Sequence, residues 1–484
     1  MKYKTIIYHY NNSEGGISNK LPKNLSEDGS LFIFFDTIYK DGFIHKNIFD
    51  VVDEISSKNY FLANVIVYPK KTPWKTKWEI KQNIWYILWF TQNEEKMFFD
   101  KDKIREKHIW KDVEWGRREK NYNKNWKDPG NIWIPTLDDW KWNITKHIVL
   151  TNEELINRCL LSTSLEWDNI YIEFWKLDLK KIVRKKWIEY HQKLEKPKIP
   201  QKIEPNSSHS NSHYPSKITS NIYFKSSEKM LEIGDKTVNL MVTSPPYWDL
   251  KNYFKAWQIW HESYEDYLAR MKSVWKETYR VLKDNWSMWI NINTRKKNKK
   301  LISIPYDIIK NCKEIGFYLK DIIIWHKSSG IPVGKKGLVD RHEYFLWFTK
   351  SKNPKLNLLN YADYKNSDIN NGIIWNINRK AWSVWKDYIH PAIYPTQMID
   401  RIIKLCTTEG DIVLDPFLWS WTSAISSINN KRNVIGYEYN EEFLNLIKYR
   451  FEKEIKGDFQ NIVNSYSKHK KSEGVIYRCN PLLT

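Results

Sequence analysis

One stretch of this chain is written twice, and the spacing between the two copies limits the possible folds more than any single motif. LSEDGSLFIFF at 25–35 matches LKDNWSMWINI at 282–292, 257 residues later. VIVYPK at 65–70 matches IIIWHK at 322–327 at the same distance, and ILWFT at 87–91 parallels FLWFT at 345–349. The spacing then falls to 243: His147 meets His390, Arg158 meets Arg401, and LEWDN at 165–169 meets TEGDI at 408–412. A repeat of this kind has to be recognised first, because missing it misreads the whole architecture. The 484 residues allow two or three domains, and each half is long enough to bury its own core. Between the halves, residues 196–220 are rich in Pro, Ser and Asn with little apolar patterning, which reads as a linker.

In the second half short apolar runs alternate with amphipathic stretches. Strands are expected at Leu240–Thr243, Met288–Ile292, Ile322–Trp325 and Glu343–Phe348, and helices over Tyr264–Leu282 and Pro305–Ile315. That alternation predicts an α/β fold with a mainly parallel sheet. In such a sheet ligands bind at the carboxyl ends of the strands.

The chain leaves its run Val238–Val242 through Thr243, Ser244, Pro245, Pro246 and Tyr247. Two prolines fix φ twice and remove two backbone donors. A serine hydroxyl, a proline carbonyl and an aromatic ring are thereby held together at a strand end. Such a set can accept hydrogen bonds from an amino group while a flat ring stacks alongside, which is what alkylating the exocyclic amine of a nucleobase requires. The stretch resembles the catalytic motif of the DNA amino-methyltransferases, which methylate cytosine N4 or adenine N6 from S-adenosylmethionine. Ser-Pro-Pro-Tyr leans toward cytosine in that family. The structural alternative is a rigid turn that merely ends a strand.

Residues 390–424, HPAIYPTQMIDRIIKLCTTEGDIVLDPFLWSWTSA, are similar to the cofactor region of the same family. The resemblance spans roughly residues 221–455. It implies a Rossmann-like methyltransferase fold with the permuted motif order of the beta-like class, since the catalytic motif precedes the cofactor motif. It also implies S-adenosylmethionine contacts from His390, Pro395, Asp415, Pro416, Phe417, Trp419, Trp421 and Thr422, with Glu438 serving the ribose hydroxyls. Ser244, Pro245, Pro246 and Tyr247 would be catalytic. The amine would bond to Ser244 Oγ and the Pro245 carbonyl, its nitrogen moving toward sp³ for in-line attack, with the base flipped onto Tyr247.

Where the family has glycines after Asp-Pro-Phe, this chain has Trp419 and Trp421, and an indole does not suit a tight turn that must approach a ligand. Trp257, Trp260 and Trp286 likewise stand at expected glycine positions. The repeat acts as a control: Gly29 aligns with Trp286, and Trp167 with Gly410. The chain holds 26 Trp and only 16 Gly. Ordinary usage is about 7% glycine, or roughly 34 in a chain this long. The expectation is that many of these tryptophans are glycines in the cell, from UGA codons decoded as glycine. The alternative is an aromatic-rich surface.

The first half lacks the chemistry. Ile172-Glu173-Phe174 stands where the second half has Asp415-Pro416-Phe417, and no Ser-Pro-Pro-Tyr precedes Leu25. By the 257-residue spacing that motif would fall upstream of Met1, through loss of catalysis or through truncation. The expected organisation is a degenerate partial copy of the same fold over 1–195, the linker 196–220, the catalytic domain 221–460 and a basic tail 461–484. An unrelated DNA-reading domain is the rival reading for the first half.

The formal charge of +21 favours a polyanionic partner, although Lys abundance also marks AT-rich coding. The four cysteines and twelve histidines show no metal-ligand spacing, so no metal is expected. No apolar run approaches the ~20 residues of a membrane span, so no membrane is expected and the location is read as cytoplasmic. The expected partners are double-stranded DNA and a cognate restriction endonuclease. Site-specific cytosine-N4 methylation is the leading function. Adenine-N6 methylation, an RNA-directed enzyme and a non-catalytic DNA-binding protein on the same scaffold are the alternatives.

Overall fold

The computed structural model describes residues 2–10, 21–22, 24–69, 84–104, 132–133, 150–165, 168–174, 177, 182, 188–191, 220–248, 263–297, 300–327, 338–357, 373–377, 395–419, 421–439, 450, 454–455, 467–471 and 474–479. The first half provides strands β1 (Tyr3–His9), β2 (Leu25–Phe35), β3 (Ile38–Lys40) and β4 (Phe43–Lys46), helix α1 (Ile48–Ser56), β5 (Phe61–Pro69), β6 (Ile84–Thr91), α2 (Asn152–Thr163), β7 (Ile170–Glu173) and β8 (Ile188–His191). The second provides β9 (Ser220–Tyr223), β10 (Val238–Thr243), α3 (Tyr264–Val281), β11 (Leu282–Ile292), β12 (Arg295–Lys297), β13 (Lys300–Ile302), α4 (Ile304–Ile315), β14 (Tyr318–His326), β15 (His342–Thr349), β16 (Ile374–Asn376), α5 (Thr396–Cys406), β17 (Ile412–Asp415), α6 (Thr422–Asn429), β18 (Asn433–Tyr437), β19 (Ser467–Lys471) and β20 (Gly474–Cys479).

These strands build two principal sheets. The six-stranded sheet has the order β5-β6-β2-β1-β7-β8, and the ten-stranded sheet β16-β14-β15-β11-β10-β17-β18-β9-β20-β19. Six consecutive strands of the larger sheet, β14 to β18, repeat the order and directions of the smaller one. The registers repeat too. Tyr3 faces Leu25 and Thr5 faces Ser30 across an irregularity; Val238 faces Leu282 and Leu240 faces Ser287 across the same one. Trp89 Nε1 donates to Ser30 Oγ at 3.0 Å, and Trp347 Nε1 to Ser287 Oγ at 3.1 Å. At the sheet margin Val67 bridges Ile132 in parallel, as Ile324 pairs with Ile374. Arg158 lies 5.4 Å from the Trp133 ring centroid, and Arg401 lies 5.5 Å from that of Trp375.

Three details differ from the sequence expectations. The sheet is mixed, not mainly parallel, because β15 runs antiparallel to both β11 and β14. Second, β1 holds in its sheet the place that β10 holds in the other, with 235 residues between Tyr3 and Val238. Only residues 10–24 separate β1 from β2, whereas residues 244–281 separate β10 from β11 and carry α3. The position equivalent to Ser244 is therefore His9, not a point upstream of Met1. Third, the expected tail 461–484 contains β19 and β20, and β20 pairs with β9. Val475, Ile476 and Tyr477 are residue types favoured in strands, and β20 lies between β9 and β19.

The halves pack against each other through a shared apolar core that includes Ile33, Phe35, Val65 and Leu88 from one and Ile290, Ile304, Ile323 and Leu346 from the other. Hairpin strand β4 lies on β14, β13 lies reciprocally on β5, and α1 meets α4. Such exchange of equivalent surfaces is the signature of a two-fold interface. Tyr39 Oη donates to Asp321 Oδ1 across it at 2.8 Å, Lys320 Nζ reaches the Gly42 carbonyl at 2.6 Å, and Phe49 meets Tyr344 edge-on. Burial pushes the Asp321 carboxyl up to about 6, against the pull of Tyr39. Among the described residues no helix is long and apolar enough to cross a membrane.

Candidate active site

Strands β10, β17 and β18 run parallel, with Met241 opposite Leu414 and Asp415 opposite Gly436. Their carboxyl ends therefore lie at one edge, and all the motifs of interest leave from that edge. Thr243 at the end of β10 donates to Asp415 Oδ1 at 2.6 Å. The other oxygen, Oδ2, accepts from Ser423 Oγ on α6, while Phe417 N donates to Oδ1 at 3.0 Å. One buried carboxylate thus binds together two strand ends and a helix start. Desolvation raises the Asp415 carboxyl to about 6, opposed by these three donors.

Pro245 and Pro246 are buried, while Ser244 and Tyr247 are half-buried at the rim. Tyr267 on α3 donates its hydroxyl to the Pro246 carbonyl at 2.8 Å and so braces the diproline turn from behind. Ser263 caps α3 through Asp266 N, which starts the helix in position to supply that brace. Tyr247 Oη lies 2.9 Å from Glu343 Oε2 and 3.2 Å from Asn291 Oδ1. Ser244 Oγ lies 3.4 Å from the same Asn291 oxygen, a long contact. Asn291 Nδ2 faces the Tyr344 carbonyl at 3.3 Å, which orients the amide with its oxygen toward Ser244 and Tyr247. Lys327 Nζ completes the set, 2.9 Å from Glu343 Oε1. Beside the motif, Trp248 carries Lys297 Nζ at 4.1 Å from its ring centroid.

Asn291, Glu343 and Lys327 were not singled out from the sequence. The available signal was a polar residue inside an otherwise buried strand, Asn291 within Met288–Ile292 and Glu343 at the head of β15.

After Asp415 the chain makes the turn expected to hold the cofactor. Trp419 has φ 42 and Trp421 has φ 62, both left-handed. This region is unfavourable for a bulky L-residue and open to glycine. Trp419 N donates to Glu438 Oε2 at 2.9 Å, Leu418 N to the Tyr437 carbonyl at 2.8 Å, and Arg450 Nη1 to Thr422 Oγ1 at 3.1 Å. Neighbouring β18 passes so close that a Cβ on Gly436 would lie 2.5 Å from Leu418 Cδ2. The Trp421 indole is buried with Leu418, Ile425 and Val434. It packs into the apolar layer under the turn, while Trp419 stays half-exposed. Trp286 does not share the positive φ of the other two. Its repeat partner Gly29 nevertheless admits no side chain, since a Cβ there would meet the Lys4 carbonyl at 2.8 Å.

The structure brings Ser244, Tyr247, Asp415–Trp419, Trp421, Thr422 and Glu438 to one edge of the sheet. Pro395 starts α5, its carbonyl accepting from Met398 N at 3.2 Å, and α5 packs on α6. His390, Trp257 and Trp260 lie outside the described residues. An acidic side chain bonded to a left-handed turn at a strand end is a set that could hold an adenosyl group, Glu438 through its ribose hydroxyls. Among the described residues no group of His, Cys, Asp or Glu could hold a metal ion.

A family model of DNA methylases modifying N6 or N4 positions matches residues 8–171 and 238–449. The type II methyltransferase M.Cfr9I of Citrobacter freundii is 31% identical over 260 residues, covering 47% of this chain and 84% of the relative. M.BglII of Bacillus subtilis is 31% identical over 260 residues, covering 49% and 70%. A DNA modification methylase from Thermus thermophilus, solved in complex with S-adenosyl-L-methionine, is 25% identical, with 49% of this chain and 95% of that chain covered and a TM-score of 0.39.

Proposed function

This chain belongs to the N6/N4 DNA methylase family, and from that premise we propose that it methylates N4 of cytosine at a specific site in double-stranded DNA, as the modification partner of a restriction endonuclease in the cytoplasm. Transfer of methyl from S-adenosylmethionine to DNA is the activity of the family. S-adenosylmethionine supplies an electrophilic sulfonium methyl. The observation that carries the cytosine reading is the neutral hydroxyl of Ser244 at the mouth of the motif, next to the Asn291 amide oxygen. With its proton directed to Asn291 Oδ1, Ser244 Oγ presents lone pairs to a base amine, and the Pro245 carbonyl offers a second acceptor. Two such bonds draw the amine lone pair out of conjugation with the ring. Tyr247 is the stacking platform for the extruded base.

Two further readings belong to this proposal. Residues 1–195 are a degenerate copy of the catalytic unit that binds no cofactor, supported by the common strand order, the matching registers and the family match over 8–171. The tryptophans at 257, 260, 286, 419 and 421 are glycines in the cell, supported by the left-handed φ at 419 and 421. The test is a full chain carrying Trp257→Gly, Trp260→Gly, Trp286→Gly, Trp419→Gly and Trp421→Gly, hereafter the five-glycine chain. It is incubated with duplex DNA and the methyl donor, and the DNA is digested to nucleosides for mass spectrometry. N4-methylcytosine is expected. N6-methyladenine instead would reassign the target, and methylated RNA alone would reject the DNA reading.

A further inference from the structure

We propose that Glu343 is a positioning residue for methyl transfer, held by Lys327 and acting through the Tyr247 hydroxyl. This rests on the reading of Tyr247 as the platform for the target base. The two oxygens of Glu343 have different partners. Oε1 takes Lys327 Nζ at 2.9 Å and Oε2 takes Tyr247 Oη at 2.9 Å. The carboxylate is thus a bridge from a strand-end cation to the catalytic tyrosine. Between Asn291 Oδ1 at 3.2 Å and Glu343 Oε2 at 2.9 Å, the charged acceptor is both nearer to the Tyr247 hydroxyl and stronger. A ring fixed at its backbone by the diproline turn and at its far end by this bond can neither tilt nor slide. That is what a platform for in-line transfer needs, because small misplacements of the reacting atoms are expensive in rate.

The ion pair is a poor device for stability. The Lys327 and Glu343 side chains are 8% and 17% exposed, so the desolvation cost offsets much of their attraction. The molecule also contains its own control. In the six-stranded sheet the place of Glu343 is taken by Trp85, which faces Tyr68 as Glu343 faces Trp325. The place of Asn291 is taken by Phe34, and that of Ser244 by His9, whose ring lies 4.7 Å from Phe174. That sheet keeps the Trp89–Ser30 bond and the common registers while rings stand at the places of Ser244, Asn291 and Glu343. The strands therefore assemble without Glu343 and Asn291. What departs together with the Ser-Pro-Pro-Tyr motif is the group that contacts it.

The experiment measures methyl incorporation into unmethylated duplex DNA by the five-glycine chain, with Glu343→Gln, Lys327→Met, Tyr247→Phe and the Tyr247→Phe/Glu343→Gln double variant. Glu343→Gln keeps the shape and removes the charge. It is expected to lower kcat about tenfold, the loss of one charge-assisted hydrogen bond. The KM for S-adenosylmethionine should stay unchanged, whereas the melting midpoint should fall in both Glu343→Gln and Lys327→Met, because each leaves one half-buried charge without its partner. Lys327→Met is expected to follow it. In the Tyr247→Phe background the added Glu343→Gln change should cost less than about twofold, because the hydroxyl through which it acts is already gone. Multiplying effects in the double variant, or full activity of Glu343→Gln, would overturn the proposal. Tyr247→Ala distinguishes the two levels: if it too retains full activity, the platform reading itself fails, whereas its inactivity beside an active Glu343→Gln sinks only the role of Glu343.

Discussion

Replacing Trp419 and Trp421 by glycine has opposite effects on stability and on cofactor binding, and the structure gives the size of each. At Trp421, with φ 62, a side chain that is 1% exposed packs under the turn. Removing a buried indole costs about 3–5 kcal/mol. Releasing an L-residue from the left-handed region returns about 1–2 kcal/mol, and the flexibility of glycine in the unfolded chain costs about 0.5–1 kcal/mol. The net is a loss of about 2–4 kcal/mol without cofactor. Trp419 is half-exposed at φ 42, so strain relief and lost burial nearly cancel there. On the proposed reading binding reverses the sign: Trp419 N is bonded to Glu438, and an indole at 419 would crowd an adenosyl group held by that turn. The five-glycine chain is therefore expected to bind S-adenosylmethionine at least about 100-fold more tightly than the unsubstituted chain, about 2.7 kcal/mol. At a hundred times Kd the cofactor returns about 2.7 kcal/mol of stability, a rise of about 3 °C in the melting temperature of a chain that unfolds as one unit. Titration calorimetry gives the affinities, and thermal melts with and without cofactor give the coupling. Equal affinity of the two chains would refute the glycine reading, and a five-glycine chain no less stable without cofactor would refute the packing of Trp421.

Other perturbations test the rest of the site. In the five-glycine chain Ser244→Ala and Tyr247→Ala should each remove most of the methyl transfer, a loss of about 1–3 kcal/mol in transition-state stabilisation read from kcat/KM. Asp415 has its folded pKa raised to about 6, so its contribution to stability is present below the unfolded value and is lost as pH rises through 6. Asp415→Asn should thus grow more stable relative to the unsubstituted chain between pH 4 and 7, by on the order of 2 kcal/mol in urea denaturation; a pH-independent difference would show that burial does not perturb this carboxyl. Tyr39→Phe removes the hydroxyl bonded to Asp321 across the two halves and should cost about 1–3 kcal/mol, with the unfolding transition still single. Two separated transitions in the unsubstituted chain would mean that the shared core does not couple the halves.

The sequence by itself determined what depends on neighbours along the chain. The strand into Thr243, the rigid exit through Pro245 and Pro246, and the strand ending at Asp415 are all local, set by apolar runs and by fixed φ. The misfit of Trp419 and Trp421 was equally local, since the sign of φ in a tight turn decides which residues suit it, and both have positive φ. The 257- and 243-residue spacings were legible as patterns of letters, and the same residues occupy matching registers in the two sheets.

Tertiary structure alone decided what depends on partners far apart in sequence. Strand β15 runs against both of its neighbours, a direction that its apolar composition does not encode. His9 stands at the Ser244 position because only residues 10–24 separate β1 from β2 whereas 244–281 separate β10 from β11, and a constant spacing cannot register a shortened connection. Asn291, Glu343 and Lys327 join Ser244 and Tyr247 from strands 44 to 96 residues away, through pairings that no periodicity reveals. In the sequence a buried asparagine or an ion pair at a strand end looks like any other polar interruption. It becomes part of a site only when the sheet places its oxygen within hydrogen-bonding distance of a tyrosine, because such bonds depend on ångström distances that the linear order does not fix.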